Sequence, residues 1–167
     1  MAGITFTAFL GTILHFLYAW TNIKIFAPIS AVNESTFEHM KLVFVPSFIF
    51  AIFQSFFAKN DYQCFWLVKL IGIGIGTLLI PVLFYTLSGS FGELSAVINI
   101  AIFFVSVIVG YLVELSLFNR LSCKSWLNRF AIVILLCILM LFFVLTFYPP
   151  KIPLFLDPVT NGYGITK

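Results

Sequence analysis

Phe130-Ala-Ile-Val-Ile-Leu-Leu-Cys-Ile-Leu-Met-Leu-Phe-Phe-Val-Leu-Thr-Phe147 carries no charged residue from end to end. Extended to Leu127 and Tyr148 and wound as a helix at about 1.5 Å per residue, it crosses a hydrocarbon core about 30 Å thick. Four more runs of this kind precede it: Gly3 to Trp20, Met40 to Ala58, Phe65 to Leu87 and Leu94 to Phe118. The whole chain shares their character, being 62% hydrophobic and 9% charged with 22 Phe among 167 residues. A soluble domain has a charged fraction of about a quarter, so the class is an integral membrane protein. Strands of a membrane barrel alternate apolar and polar residues in segments of about 10, whereas these runs are longer and continuous. The expected fold is all-α: a single transmembrane domain over residues 1–167, a bundle of five helices closed by a Pro-rich C-terminal lid over residues 149–167.

The net charge of +3 is small and scattered, so the basic face of a nucleic-acid binder is not expected. The first run is longer than a signal-peptide core of about 7 to 15 residues and lacks a basic leader, so it is expected to stay as a helix. Five spans put the termini on opposite faces. Lys59, Lys69, Arg120, Lys124 and Arg129 fall on the N-terminal face, and Lys24, Lys41, Lys151 and Lys167 on the other. The cluster at Arg120, Lys124 and Arg129 places the N-terminus in the cytoplasm and the C-terminus outside by the positive-inside rule. The expected location is a plasma membrane. Cys64 and Cys123 then face the reducing side as free thiols. Short polar connections between the last four runs lead to antiparallel neighbours.

Non-apolar residues form stripes along the runs. Gly11, His15, Tyr18 and Asn22 share one helix face, as do Asn99, Ser106, Gly110 and Glu114. Small and polar residues serve helix contacts in lipid. The Gly72-x-x-x-Gly76 spacing suits either packing within the chain or a homodimer contact. Glu114, near a helix end, is expected to snorkel toward Arg120, Lys124 or the interface.

Charge density peaks at Val32-Asn-Glu-Ser-Thr-Phe-Glu-His-Met-Lys41, which holds Glu34, Glu38, His39 and Lys41. Ser35-x-x-Glu38 reads as a capping box, with Asn33 as an alternative cap. A capping box needs one carboxylate, and here there are two beside a histidine. On a helix starting near Asn33, Glu34, Glu38 and Lys41 would share a face. His15, about 8 Å below its helix end, is on the same side of the bilayer. His15, His39 and Glu38 thus form a candidate ligand set for a divalent metal such as zinc. Glu34 and Glu38 are candidate catalytic carboxylates, and Asn33, Lys41, Asp157 and Tyr163 candidate ligand-binding residues. The tail supplies the last two: Pro149, Pro150 and Pro153 hold it extended, and Asp157-Pro158 and Asn161-Gly162 signal turns. It is expected either to fold across the mouth of the bundle or to lie in the membrane interface.

Three stretches carry a resemblance: His15-Phe-Leu-Tyr18-Ala-Trp20, then Val32-Asn33-Glu34-Ser35-x-x-Glu38-His39-x-Lys41, and Tyr148-Pro-Pro-x-Ile-Pro-Leu-Phe with Asp157-Pro-x-Thr160. In these the chain resembles a family of small bacterial polytopic membrane proteins classed as a domain of unknown function. The resemblance implies the five-helix plan and no established activity. Its pattern expects a glycine directly after Thr160, where this chain has Asn161.

Three classes of function fit. One is a membrane-embedded hydrolase or transferase, or a binder of lipid or another small ligand, with a polar pocket. The second is a transporter, channel or accessory subunit without chemistry, although five spans cannot make two equal repeats. The third is a structural interaction protein.

Overall fold

The computed structural model describes residues 1–58, 62–118 and 120–165. Lys59 and Lys167 of the charge comparison, and Asn60, Asp61 and Asn119 of the connections, lie outside the described residues. Five helices carry the fold: α1 Ala2–Thr21, α2 Thr36–Ala58, α3 Phe65–Phe91, α4 Ala96–Phe118 and α5 Ser125–Phe147. Each is long and apolar enough to span a membrane, and no strand occurs among the described residues. Two single-turn 3-10 segments, Lys24–Phe26 and Pro153–Phe155, flank the bundle.

The helix boundaries depart from expectation at two places, each set by the backbone. α2 begins four residues before Met40, because Ser35 offers its carbonyl to the N–H groups of Glu38 and His39. α3 runs through Ser88 and Gly89 as far as Phe91. It stops at Gly92, whose φ of 82° is left-handed backbone that glycine adopts without strain.

α2 is the most buried helix and packs against all four others; α3 lies against α4, α2 and α5, and α1 against α2 and α4. α5 rests on α3 and α2 rather than chiefly on α4, its predecessor, so the short α4–α5 connection does not make a packed hairpin of that pair. Gly72 and Gly76 are buried against α4: a Cβ on Gly72 would strike Glu114 and the Gly110 carbonyl, and one on Gly76 would come within 3.0 Å of the Ser106 carbonyl. The glycine stripe weighed as a homodimer contact is thus occupied inside the chain. Glu114 does not snorkel. It is buried in an ion pair with Lys69, and the Lys69 ammonium stands 5.5–5.7 Å from the ring centres of Phe50, Phe65, Tyr111 and Phe118. Thr7 hydrogen-bonds Tyr111 at 2.8 Å and ties α1 to α4.

Cys64 and Cys123 form a disulfide with Cα atoms 5.8 Å apart, which corrects the expectation of two free thiols. It joins the α2–α3 and α4–α5 connections at the end of the bundle that also carries exposed Arg120, Lys124 and Arg129.

The tail folds back as a lid. Phe155 is buried and packs on Phe37 of α2 with ring centres 4.3 Å apart, and Leu156 pairs with Tyr163 across a small loop. Asn161 takes a φ of 53°. This is left-handed backbone, which asparagine tolerates better than most residues, so Asn161 meets the conformational demand at the place where a glycine was expected.

Candidate functional site

The approach to α2 is a chain of local hydrogen bonds. Ala31 donates its N–H to the Leu14 carbonyl at 3.2 Å, which fixes the connection against α1 one residue before His15. The Asn33 Oδ1 accepts the Ser35 N–H at 2.9 Å, a side-chain turn typical of asparagine. Its Nδ2 donates to the Gly164 carbonyl at 2.8 Å and so binds the lid to this turn. Glu34, held between these anchors, lies outside the helix. It therefore points away from Glu38 and Lys41 rather than sharing a face with them.

Glu34 instead faces two histidines. Its Oε1 is 3.6 Å from His15 Nε2 and its Oε2 is 3.7 Å from His39 Nε2. One ligating atom from each of His15, Glu34 and His39 can be chosen so that all lie within 4.8 Å of one another. The two N···O separations are long for a hydrogen bond. They are close to the spacing of two ligands about 2.0–2.2 Å from a tetrahedral zinc, which is about 3.3–3.6 Å. His39 is already oriented for such a role. Its Nδ1 is 2.9 Å from the Ser35 carbonyl, an oxygen that only accepts, so Nδ1 carries the proton and Nε2 presents its lone pair to the cluster.

Glu38, expected as both ligand and catalytic group, is placed elsewhere. It is buried, with Oε2 2.7 Å from Lys41 Nζ and 2.9 Å from the Val32 N–H. The capping-box geometry is displaced as well: Glu38 reaches back to Val32, while the Ser35 N–H belongs to Asn33. Lys41, fully buried, also donates to the Ala27 carbonyl at 3.0 Å and to Thr146 Oγ1 at 2.8 Å. These three partners match the three N–H donors of an ammonium and link α2 to the α1–α2 connection and to α5. Lys41 is thus an internal tie. Asp157 does not reach the cluster either, since its carboxylate accepts the Val159 N–H at 3.0 Å and the Thr160 hydroxyl at 2.6 Å within the lid. Tyr163 is partly buried and packs against the apolar core.

The cluster opens into a cavity of about 470 Å³ between α1, the first turns of α2, α3, the first half of α4, and the lid. That volume is within the range of ligand sites, about 300–1,000 Å³. Thr12, Asn99, Phe103 and Val159 line it along with the three cluster residues. None of these four was singled out as a site residue from sequence. Asn99 carries the one usable sequence signal among them, an amide near the start of an otherwise apolar helix, on a face whose spacing suits packing equally well. His15 Nδ1 and Asn99 Oδ1 are buried without a hydrogen-bond partner among the described residues.

Fold and site together define a multi-pass membrane protein of five apolar helices with a His/Glu cluster at the mouth of a lidded cavity. Residues 1–165 match the family of unknown function DUF6512, and the chain belongs to that family. No curated protein and no solved structure matches it.

Proposed function

We propose that His15, Glu34 and His39 bind a divalent metal, zinc by ligand type, and that the protein is a membrane-embedded hydrolase or transferase working at this centre. One observation carries the reading: three ligand atoms, from α1, from α2 and from the connection between them, gather within 4.8 Å. Two imidazoles and one carboxylate, with a fourth position toward the cavity, match the open ligand sets of catalytic rather than structural zinc. Bound there, zinc would supply Lewis acidity and lower the pKa of a water. His39 keeps its orientation through Ser35. One Glu34 oxygen suffices as a ligand, and the other can take a proton from the attacking water.

The test is elemental analysis of protein purified without chelator. About one zinc per chain is expected, lost in His15→Ala, Glu34→Gln and His39→Ala and kept in Glu93→Gln, an exposed control. Zinc near zero in the unaltered protein would end the metal reading. A transporter or channel draws less support. The other intramembrane ion pair, Lys69–Glu114, is enclosed by aromatic rings, which suits a structural tie better than a conduction path.

The proposed location is a bacterial plasma membrane with the N-terminus cytoplasmic and the lidded mouth outside. Arg120, Lys124 and Arg129 support this orientation, while Lys41 and Lys69 leave the comparison because each is buried in an ion pair.

A further inference from the structure

The cavity has two chemically different ends. His15, Glu34 and His39 occupy the end under the lid, and Ile80, Phe84 and Phe103 form the wall deeper in the bundle. It is also open at the side. Phe16 of α1 and Ile100 and Phe104 of α4 line it, yet are 44%, 57% and 42% exposed, so the gap between α1 and α4 gives onto the surface that hydrocarbon would cover. Along α4 the lining runs from Ala96 to Phe104, about 12 Å at 1.5 Å per residue. A polar end at the interface joined to an apolar channel reached sideways from the bilayer has the shape of an amphiphile.

We infer that the cavity binds a phosphate-bearing membrane lipid, its head group on the His15–Glu34–His39 centre and a chain lying in the gap between α1 and α4. This rests on the metal reading above. A divalent ion held by two neutral imidazoles and one carboxylate leaves a net positive charge, which in a largely apolar site favours an anionic oxygen as the next ligand. Lys41, the nearby cation in sequence, is engaged elsewhere. Asn99 adds an independent sign. Asn99 lines the cavity close to the start of α4, and its amide oxygen is buried beside it without a partner among the described residues, a position that calls for a polar neighbour. The linkage region of a lipid, between phosphate and chains, supplies such a group at about this depth. The C-terminal lid, through Pro158 and Val159, borders the head-group end.

The test compares three probes on zinc-loaded full-length protein in a maltoside detergent: dioleoyl phosphatidic acid, dioleoylglycerol with the same chains, and inorganic phosphate. Phosphatidic acid is expected to bind at least tenfold more tightly than either of the others. Ala96→Trp and Ile100→Trp, which obstruct the gap, are each expected to weaken it at least tenfold while zinc stays near one per chain. Equal binding of dioleoylglycerol would overturn the phosphate assignment, and equal binding of inorganic phosphate would overturn the lipid. Full phosphatidic acid affinity in both tryptophan variants would overturn the seat of the chain. With zinc present and no phosphatidic acid retained, the lipid proposal falls and the metal centre stands. With no zinc retained by the unaltered protein, both fall.

Discussion

His39 is held from behind by the Ser35 carbonyl and faces Glu34 in front, so its ring needs little rearrangement to ligate. His15 lacks such a support: its Nδ1 has no hydrogen-bond partner among the described residues. Partners of this kind orient a ligand and their loss typically costs 10–100-fold in metal affinity. His15 should therefore be the more mobile ligand, and zinc should weaken more in His39→Ala than in His15→Ala when both are measured by competition with a chelator. Protons compete with metal for imidazole nitrogen. Zinc affinity is expected to be lower at about pH 5 than at about pH 8, and to recover when the pH is restored; a flat profile would argue against histidine ligands. The sequence showed the residue types for this centre but assigned the carboxylate to Glu38. The reason lies in one backbone turn. Asn33 stops the helix from reaching Glu34, which frees that side chain to face α1 and leaves Glu38 to meet Lys41.

At the scale of the element, α2 is tied at its start by a buried ion pair and α3 is tied to α4 by glycine contact. Removing one partner of a buried pair strands a charge and costs about 3–5 kcal/mol, whereas replacing both can be close to neutral. Lys41→Met alone should strongly lower thermal stability, and Glu38→Gln with Lys41→Met should recover much of the loss. Zinc content of the folded double variant should match the unaltered protein, which a ligand role for Glu38 would not allow. Between α3 and α4 the obstacles are backbone. A Cβ on Gly110 would stand 2.9 Å from the Gly72 carbonyl and 3.3 Å from Gly76 Cα, while nothing lies within 4 Å of one on Gly74. Overpacking of this kind costs about 1–3 kcal/mol. Gly110→Ala should therefore lower the melting temperature and Gly74→Ala should not, as measured by thermal unfolding in detergent. The stripes were legible in the sequence as contact faces; which helix each one meets depended on the order of the bundle.

For the whole molecule, the disulfide and the basic cluster sit at the same end and make opposite demands. A disulfide persists on an oxidising face, and basic residues collect on the cytoplasmic one. The structure pairs Cys64 with Cys123, and with the N-terminus cytoplasmic that bond would face a reducing compartment, so both cysteines should be alkylated when intact cells are quenched and should pair on oxidation of the purified protein. A bond that resists this quench in growing cells would reverse the orientation and put the lidded mouth inside. Either outcome leaves the site's geometry intact, because the lid and the cluster share one face of the bundle whichever way it is inserted.

The sequence by itself determined the class, the number of spans and the region of the candidate site. Long continuous apolar runs with few charges can span a bilayer only as helices, because each backbone polar group must be satisfied within its own segment when no strand pattern offers a closed barrel, and the dense polar stretch from Val32 to Lys41 stands out against such a background. Only the tertiary structure decided which acid joins the histidines, that Asp157 serves the lid rather than the cluster, and that Cys64 meets Cys123. These outcomes turn on where side chains from distant segments meet. Spacing along one helix fixes a face but not the neighbour across it, so the passage from a conspicuous motif to a His/Glu cluster required α1, α2 and the tail to be packed together.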